Sequence, residues 1–195
     1  MRKQTKLVAV LSAASLLAIG ASMTSFAKGW TEENGEWVYL DSDGERVTQE
    51  WKKSGSNYYW LDDNGVMATS QIVDDDDNTY YVNEYGVRAK NQWISVENED
   101  SEDVNGNEVD TLWYYFGDNG KAYKAENGDS LQKKTVPDST GSRTYFFDSE
   151  GHMVSDWVEY DGSIYYCGTE NEGWAYTGWQ YLEPDDDLSS DDYDD

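Results

Sequence analysis

The sequence predicts an all-β fold, a solenoid of about six stacked β-hairpins with roughly 21 residues in each unit. Aromatic residues and turn glycines recur at a fixed interval, as is typical of a repeat protein. Asn-Gly and Asp-Gly pairs separate short apolar runs, where tight turns need residues that accept positive φ angles. Because a single hairpin is at best marginally stable in water, each unit must bury its aromatic face against its neighbours.

The repeat is clearest in three columns of residues that recur every 21 positions. The columns are Trp30, Trp51, Ile72 and Trp93, then Tyr39, Trp60 and Tyr81, and then Gly44, Gly65 and Gly86. Beyond these columns the interval is less regular, but three further aromatic segments bring the count to six units. We expect each unit to contain a short aromatic strand, a turn such as Asp41–Gly44, and a second short strand that ends near the next tryptophan.

The N-terminus has the pattern of a secretory signal peptide, which we assign to residues 1–27. Three basic residues precede an apolar run from Leu7 to Ala21, and small residues follow at Ser25 and Ala27. The run is shorter than the roughly 20 residues that span a bilayer. We therefore expect an exported chain without a transmembrane segment or a covalent anchor, located at the cell wall or cell surface.

The rest of the chain divides into a repeat domain over residues 28–183 and an acidic tail over residues 184–195. The tail is nearly all Asp and Ser, and we expect it to be disordered because it has little apolar surface to bury. Two polar insertions, Glu97–Asp110 and Glu126–Ser142, interrupt the repeat. We expect both insertions to be long surface loops, the second one containing Pro137.

The formal net charge of −26 argues against a nucleic-acid partner, because polyanions are bound through Lys and Arg, which are scarce here. The charge is compatible with a small cationic ligand, and it also keeps a repeat protein soluble.

Few residues point to catalysis, to a metal or to a cofactor, and we expect none of the three. The single cysteine, Cys167, has no partner for an internal disulfide, and the single histidine, His152, lacks neighbours with metal-ligand spacing and is expected in a surface turn. The acidic run Asp74–Asp77 does not match the EF-hand spacing, so solvated turns are favoured. Glycoside hydrolysis needs two carboxylates in different environments within a cleft, and a thin hairpin stack offers little depth.

Several segments resemble the choline-binding and glucan-binding cell-wall repeats of Gram-positive bacteria. They are Gly29-Trp30, Gly35–Leu40, Gly65–Thr69 and Gly173–Trp179. The resemblance covers residue 29 to about residue 181. It implies a secreted protein that binds choline residues of (lipo)teichoic acid non-covalently through aromatic cages. The alternatives are an α-glucan or oligosaccharide-binding module of the same fold and a purely structural surface adhesin.

In choline-binding members, the resemblance implies, a cage lies between consecutive hairpins. It contains the tryptophan that opens a unit, the first aromatic residue of its strand and an aromatic residue of the next unit. Carried over by position, three cages have three rings each: Trp30, Trp37 and Trp60; Trp51, Tyr58 and Tyr81; and Trp93, Trp113 and Phe146. Two further sets keep one ring of three and are expected to pack only: Ile72, Thr79 and Tyr115, and Leu131, Thr144 and Tyr166.

The same aromatic residues support two interpretations. A cation over π faces gains about 0.5 to 2 kcal/mol per ring, so three rings imply an affinity near millimolar for one site. Several such sites on one chain gain avidity for a polymer with repeated ligands. The other interpretation is that the aromatic residues form the core of a solenoid that has few Leu and Ile residues.

Overall fold

The computed structural model describes residues 28–98, 110–128, 130–138 and 141–179. Twelve strands lie in these ranges. They pair in chain order, the first with the second, the third with the fourth and so on, into six antiparallel two-stranded sheets. The strands are β1 Gly29–Glu33, β2 Glu36–Leu40, β3 Glu50–Ser54, β4 Asn57–Leu61, β5 Gln71–Asp75, β6 Asn78–Val82, β7 Gln92–Glu97, β8 Thr111–Phe116, β9 Gln132–Asp138, β10 Gly141–Phe147, β11 Trp157–Tyr160 and β12 Ser163–Tyr166. The predicted all-β fold of six hairpins, numbered 1 to 6 in chain order, is confirmed for these residues.

Three predicted features of the chain fall wholly or largely outside the described residues. They are the signal peptide, residues 1–27, the acidic tail, residues 184–195, and residues 99–109 of the first predicted loop. In the part of the chain that the structure describes, no helix has the length and apolar character needed to span a membrane.

The hairpin turn lies earlier in each unit than the sequence suggested. In hairpin 1 the chain reverses between β1 and β2 at Asn34 and Gly35, where φ is 56° and 87°. The turn Asp41–Gly44 instead leads into an extended segment that is joined to β2 only by the bridge between Leu40 and Arg46. The prediction of a second strand after this turn is therefore wrong. A tight turn with two positive φ values suits the twist of paired strands, and it is that turn which sets the register.

One backbone hydrogen bond is repeated at each of the five interfaces between hairpins. The segment after the Asp-rich turn of hairpin 2 donates from the Met67 N–H to the Trp37 carbonyl of hairpin 1 at 2.8 Å. The equivalent bonds join Arg88 to Tyr58, Ala122 to Thr79, Met153 to Trp113, and Ala175 to Thr144, at 2.7 to 2.9 Å. Because consecutive units are joined in the same way throughout, the hairpins form a solenoid rather than a string of separate units.

The strands present two different faces, as their period of two requires. In β2, Val38 is fully buried, whereas Trp37 and Tyr39 on the opposite face remain partly exposed. In hairpins 2 to 5 the last position of the second strand continues the buried face with a fully buried side chain, and in hairpin 6 the residue directly after β12 does so. These side chains form a column that comprises Leu61, Val82, Phe116, Phe147 and Cys167. Cys167 is a free thiol in this column, and burial raises its pKa to about 12.

The prediction of a surface loop over Glu126–Ser142 is wrong for the second half of that segment. Residues Gln132–Asp138 form β9, which pairs with β10 and places Pro137 opposite Ser142 near the end of the hairpin. Pro137 lacks an N–H group, and a position near the end of an isolated two-stranded sheet tolerates that loss. The segment therefore supplies the first strand of hairpin 5, including the fully buried side chain of Val136.

The prediction that His152 is a surface turn residue is also wrong for its side chain, which is only 15% exposed. His152 Nε2 lies 2.7 Å from Tyr114 Oη of hairpin 4, and Nδ1 lies 3.1 Å from Asp148 Oδ2. Asp148 is itself buried, and its Oδ1 accepts the His152 backbone N–H at 2.8 Å. Hairpin 4 packs over the turn of hairpin 5. The polar groups of Asp148, His152 and Tyr114 are therefore hydrogen-bonded to one another.

Candidate functional site

The tryptophan that opens hairpin 1 lies at the interface with hairpin 2. Trp30 is opposite Tyr39 in the β1–β2 ladder, and their ring centroids are 5.5 Å apart. On the other side, Trp30 meets Tyr59 of hairpin 2 edge to face, with centroids 5.3 Å apart. A tryptophan is thus held between a ring of its own hairpin and a ring of the next.

The same arrangement recurs where hairpins 2 and 3 meet and where hairpins 4 and 5 meet. Trp51 lies 5.0 Å from Tyr80, and Trp93 lies 4.8 Å from Tyr145, measured between ring centroids. We number the interfaces 1 to 5 by the hairpin that precedes each. Interfaces 1, 2 and 4 therefore carry the aromatic clusters that contain an opening tryptophan, and the three predicted cages with three rings were assigned to these interfaces.

The third ring of each cluster is one residue away from the predicted one. The predicted Trp60, Tyr81 and Phe146 are replaced by Tyr59, Tyr80 and Tyr145. Adjacent residues of a strand point to opposite faces, and Trp60 lies opposite Trp51, on the face turned toward hairpin 3. Phe146 likewise packs on Tyr160 and Tyr165 of hairpin 6. Each predicted residue thus belongs to a later interface than the one it was assigned to.

The predicted first aromatic residues of the strands, Trp37, Tyr58 and Trp113, lie on the same face as the opening tryptophans. Trp113 is 6.5 Å from Trp93 between ring centroids, with a T-shaped arrangement, and its Nε1 donates to Asn171 Oδ1 at 3.3 Å. Trp37 is half-buried and lies opposite Glu32 in its ladder. The ring contacts among the described residues do not include Trp37. The ring of Trp37 is therefore less closely packed against other rings than that of Trp113.

A cation of the chain itself fills interface 2. The guanidinium carbon of Arg88 lies 4.2 Å from the ring centroid of Tyr58, 5.1 Å from that of Trp51 and 5.3 Å from that of Tyr80. Three aromatic rings thus surround one positive charge, within the separation at which cation–π attraction is significant.

The electrostatics of interface 2 reflect this enclosure. Burial lowers the pKa of Arg88, and attraction by Tyr80 and Tyr58 opposes that effect. Burial also raises the pKa of Tyr80. The Nε atom of Arg88 is buried without a hydrogen-bond partner, and the ion pairs of the described residues do not include Arg88. Arg88 as a whole is partly buried, and the three rings lie close to its guanidinium.

Arg88 belongs to a structural column, two residues after the turn glycine, that the sequence analysis did not use. Met67 occupies the same position at interface 1 and Met153 occupies it at interface 4. Each side chain passes beneath the turn glycine of the next hairpin, since a Cβ added to Gly86, Gly120 or Gly173 would collide with Met67, Arg88 or Met153 respectively. Interfaces 1 and 4 thus have a neutral thioether where interface 2 has a guanidinium.

Interfaces 3 and 5 lack the tryptophan. At interface 3, Ile72 packs against a buried cluster that includes Tyr114, and Thr79 donates to Asp74 at 2.8 Å. At interface 5 the register places Lys133, not the predicted Leu131, opposite Phe146 in the position of the opening tryptophan. The strand in the second insertion had not been recognised, which displaced that assignment by two residues.

The acidic turns use their side chains to bind backbone N–H groups. Asp62 Oδ1 accepts the N–H groups of Asn64 and Val66 at 2.9 and 2.8 Å, and Asp41, Asn83 and Asp148 form the same pair of bonds in their own turns. Among the described residues, no group of three or more His, Cys, Asp or Glu side chains is placed to hold a metal ion.

Two segments of the chain match known protein families. Residues 27–71 match the choline-binding repeat, and residues 109–122 match the cell wall binding repeat. No curated protein matches the sequence.

Several solved structures are similar to this chain. CbpJ from Streptococcus pneumoniae TIGR4 is 22% identical, with a TM-score of 0.49, and the match covers 77% of this chain and 42% of that one. Choline binding protein F from Streptococcus pneumoniae, solved with a peptidoglycan analogue, is 24% identical, with a TM-score of 0.47 and coverage of 76% and 41%. The chain thus spans less than half the length of either protein. The choline binding domain of Spr1274 in Streptococcus pneumoniae is 29% identical, with a TM-score of 0.36 and coverage of 50% and 95%.

The first matched segment contains Trp30, Trp37 and Tyr59 of interface 1 and Trp51 of interface 2. The second matched segment contains Trp113 of interface 4. Of the segments that carry the resemblance, Gly29-Trp30, Gly35–Leu40 and Gly65–Thr69 lie within the first match, and Gly173–Trp179 lies outside both. Residues 27–71 and 109–122 are thus similar to choline-binding and cell wall binding repeats.

Proposed function

We propose that this chain is a cell-wall-binding module that binds quaternary ammonium groups, such as the choline residues of (lipo)teichoic acid. The ligand-binding cages are those of interface 1, with Trp30, Trp37 and Tyr59, and of interface 4. The cage of interface 4 is formed by Trp93 and Trp113 together with Tyr145.

The observation that carries this proposal is the position of Arg88 among three ring faces. An interface of this type therefore has the spacing to accept a cation, and the rings supply the attraction. At interfaces 1 and 4 the equivalent residues, Met67 and Met153, are neutral. These two cages can then take a cation from solution.

The cations near the two proposed cages lie over rings other than the three that form each cage. At interface 1, Lys52 lies over Tyr39 at 5.0 Å and is paired with Glu50 at 2.7 Å. At interface 4, Lys134 lies over Tyr123 at 5.1 Å. Among the described residues, no Lys or Arg lies over the rings of Trp30, Trp93 or Trp113 in the way that Arg88 lies over Trp51.

The chemistry suits a polymer better than a free small molecule. Each ring contributes about 0.5 to 2 kcal/mol, and the costs of association leave a single cage near millimolar affinity. Two cages on one chain bind repeated groups of a polymer with a higher effective concentration for the second contact. The negative net charge of −26 also favours a cationic ligand.

The proposal includes export and non-covalent retention at the cell wall, as the N-terminal pattern of residues 1–27 suggests. It also assigns no catalytic activity to the chain, because the repeats act as binding modules. The partner is the wall polymer itself, without an additional cofactor.

The test is calorimetric titration of the chain with choline and, separately, with isomaltooligosaccharides. We expect millimolar choline binding at two sites and no binding of the oligosaccharides. Oligosaccharide binding without choline binding would instead identify an α-glucan module. Absence of binding in both titrations would leave the purely structural adhesin as the function.

A column experiment provides an independent test on quaternary-amine resin. An acidic chain binds such a resin by ion exchange, so the column is run at high ionic strength, where exposed charges are screened. Elution by choline but not by sodium chloride at the same concentration supports recognition of the quaternary ammonium group. Equal elution by both salts contradicts it.

A further inference from the structure

The geometry points to Arg88 as a built-in occupant of the cage at interface 2, which closes that cage to quaternary ammonium ligands. This inference rests on the proposed function and adds to it the number of open sites and the residue that sets that number. The second cage would be a binding site that the chain fills with its own cation.

The fit of Arg88 is the first argument. Its guanidinium lies over Tyr58, Trp51 and Tyr80, the same three kinds of position that form the proposed cages at interfaces 1 and 4. A guanidinium and a ligand ammonium group cannot occupy this space together. Since like charges also repel, an incoming cation must displace Arg88 before it binds.

The second argument is that the backbone and the middle of the side chain of Arg88 are both held in place. Its backbone N–H donates to the Tyr58 carbonyl at 2.9 Å, which fixes the Cα beside the cage. A Cβ placed on Gly120 would lie 2.7 Å from Arg88 Nε, so the next hairpin covers the middle of the side chain. Displacement of Arg88 therefore requires movement of a covered side chain rather than rotation of an exposed one.

The third argument is that a cation of the chain occupies interface 5 as well. Lys133 Nζ lies 4.5 Å from the ring centroid of Tyr165 and 5.7 Å from those of Phe146 and Tyr160, and it donates to Tyr165 Oη at 3.0 Å. Here the cation comes from the position of the opening tryptophan rather than from the column of Arg88. At interface 5 as at interface 2, a cation of the chain thus lies over aromatic rings, although Lys133 is exposed.

The experiment compares choline stoichiometry in the wild type and in Arg88→Met, which copies the residue of interfaces 1 and 4. We expect two sites in the wild type and three in the variant. The matched control is Arg46→Met, which removes the same charge from the same column. Arg46 is exposed, pairs with Glu33 at 2.6 Å, and belongs to hairpin 1, which no described hairpin precedes. The control should keep two sites.

The converse variant tests the same idea without emptying a cage. Met67→Arg places a guanidinium in the column position at interface 1, and we expect the number of choline sites to fall from two to one. This variant keeps the inference testable if Arg88→Met does not fold. An unchanged stoichiometry in folded Met67→Arg overturns the inference.

The outcomes separate this inference from the proposed function. Three sites in the wild type would mean that choline displaces Arg88, and no added site in folded Arg88→Met would mean that interface 2 is not a latent cage. Either result overturns the inference but leaves the function intact. A wild type that binds no choline contradicts the proposed function, and Arg88→Met still supports the inference if it gains one site.

Discussion

The indole of Trp93 in hairpin 4 lies 4.8 Å from the ring of Tyr145 in hairpin 5, with the two planes inclined by 59°. The contact crosses an interface and joins residues on either side of the second insertion. Trp113 of the same hairpin approaches Trp93 with a ring-centroid distance of 6.5 Å in a T-shaped arrangement. The interface therefore offers ring faces from both hairpins.

The first prediction concerns Trp113. Trp113→Leu keeps apolar volume at interface 4 but removes one π face, and we expect one of the two choline sites to weaken. Loss of one ring contribution of about 0.5 to 2 kcal/mol weakens a millimolar site by a factor of roughly 2 to 30. Calorimetry at several choline concentrations measures this change.

Trp157→Leu is the matched control for that substitution. Trp157 opens hairpin 6 and is 56% exposed, and no further hairpin is present among the described residues to complete a cage. The control should leave both the number and the affinity of the choline sites unchanged. If Trp157→Leu reduces binding as much as Trp113→Leu does, the assignment of interface 4 fails.

The second prediction concerns Gly65, where a turn meets the preceding unit. Its φ is +74°, and an added Cβ would lie 2.9 Å from both Arg46 Cβ and Val47 O. We expect Gly65→Ala to lower the free energy of unfolding by about 2 to 5 kcal/mol, from backbone strain and overpacking together. Denaturation with guanidinium chloride measures the loss.

Gly35→Ala separates the two contributions. Gly35 has a φ of +87°, but an added Cβ would meet nothing within 4 Å. Only the backbone strain, about 1 to 3 kcal/mol, should then be lost. Equal destabilisation by both substitutions would show that the close approach of the units at Gly65 has no energetic consequence.

The interval of 21 residues was enough to predict the hairpin fold and the interfaces that carry tryptophan. The interval does not specify which face of a strand meets which neighbour. Tyr59 and Trp60 are both aromatic and adjacent in a strand, so their side chains lie on opposite faces. The sequence does not indicate which of these faces meets which neighbouring hairpin. Only the direction of stacking in the structure assigns Tyr59 to Trp30.

Arg46 and Arg88 illustrate the same limit of a repeat pattern. Both occupy the position two residues after a turn glycine, so the repeat pattern assigns them to the same column. In the structure Arg46 pairs with Glu33 at the surface, whereas Arg88 lies among three rings. The difference arises because hairpins precede and follow Arg88, so the environment of the side chain is set by the stack and not by its own unit.

The third prediction concerns the hydrogen-bonded chain from Asp148 through His152 to Tyr114. Tyr114→Phe keeps the ring stacking with Phe116 at 6.0 Å but removes the partner of His152 Nε2. We expect a loss of about 1 to 3 kcal/mol in the free energy of unfolding, because a partly buried polar group is left without its bond. Tyr115→Phe is a control from the same strand, and it should cost less. The idea fails if both variants unfold at the same denaturant concentration.

The last prediction concerns pH and the turn of hairpin 6. Glu172 accepts the Thr169 N–H at 3.0 Å and the Tyr176 hydroxyl at 2.7 Å. The backbone bond from Thr169 is the main cause of a lowered pKa for Glu172, and the Tyr176 bond adds to it. A lowered pKa in the folded chain means that the ionised carboxylate stabilises the fold at pH values above its ordinary pKa of 4.5.

That stabilisation should be lost as the pH falls below 4.5 and passes through the lowered pKa of the folded chain. Glu172→Gln removes the titrating group, so its thermal unfolding should lie below that of the wild type at pH 6. The difference should shrink as the pH falls through the lowered pKa of the folded chain, because the wild-type carboxyl then becomes protonated. Thermal unfolding by circular dichroism across this range measures the difference, with Glu159→Gln on the exposed surface of β11 as the control. A difference between wild type and Glu172→Gln that stays constant with pH would show that ionisation of Glu172 does not stabilise the turn.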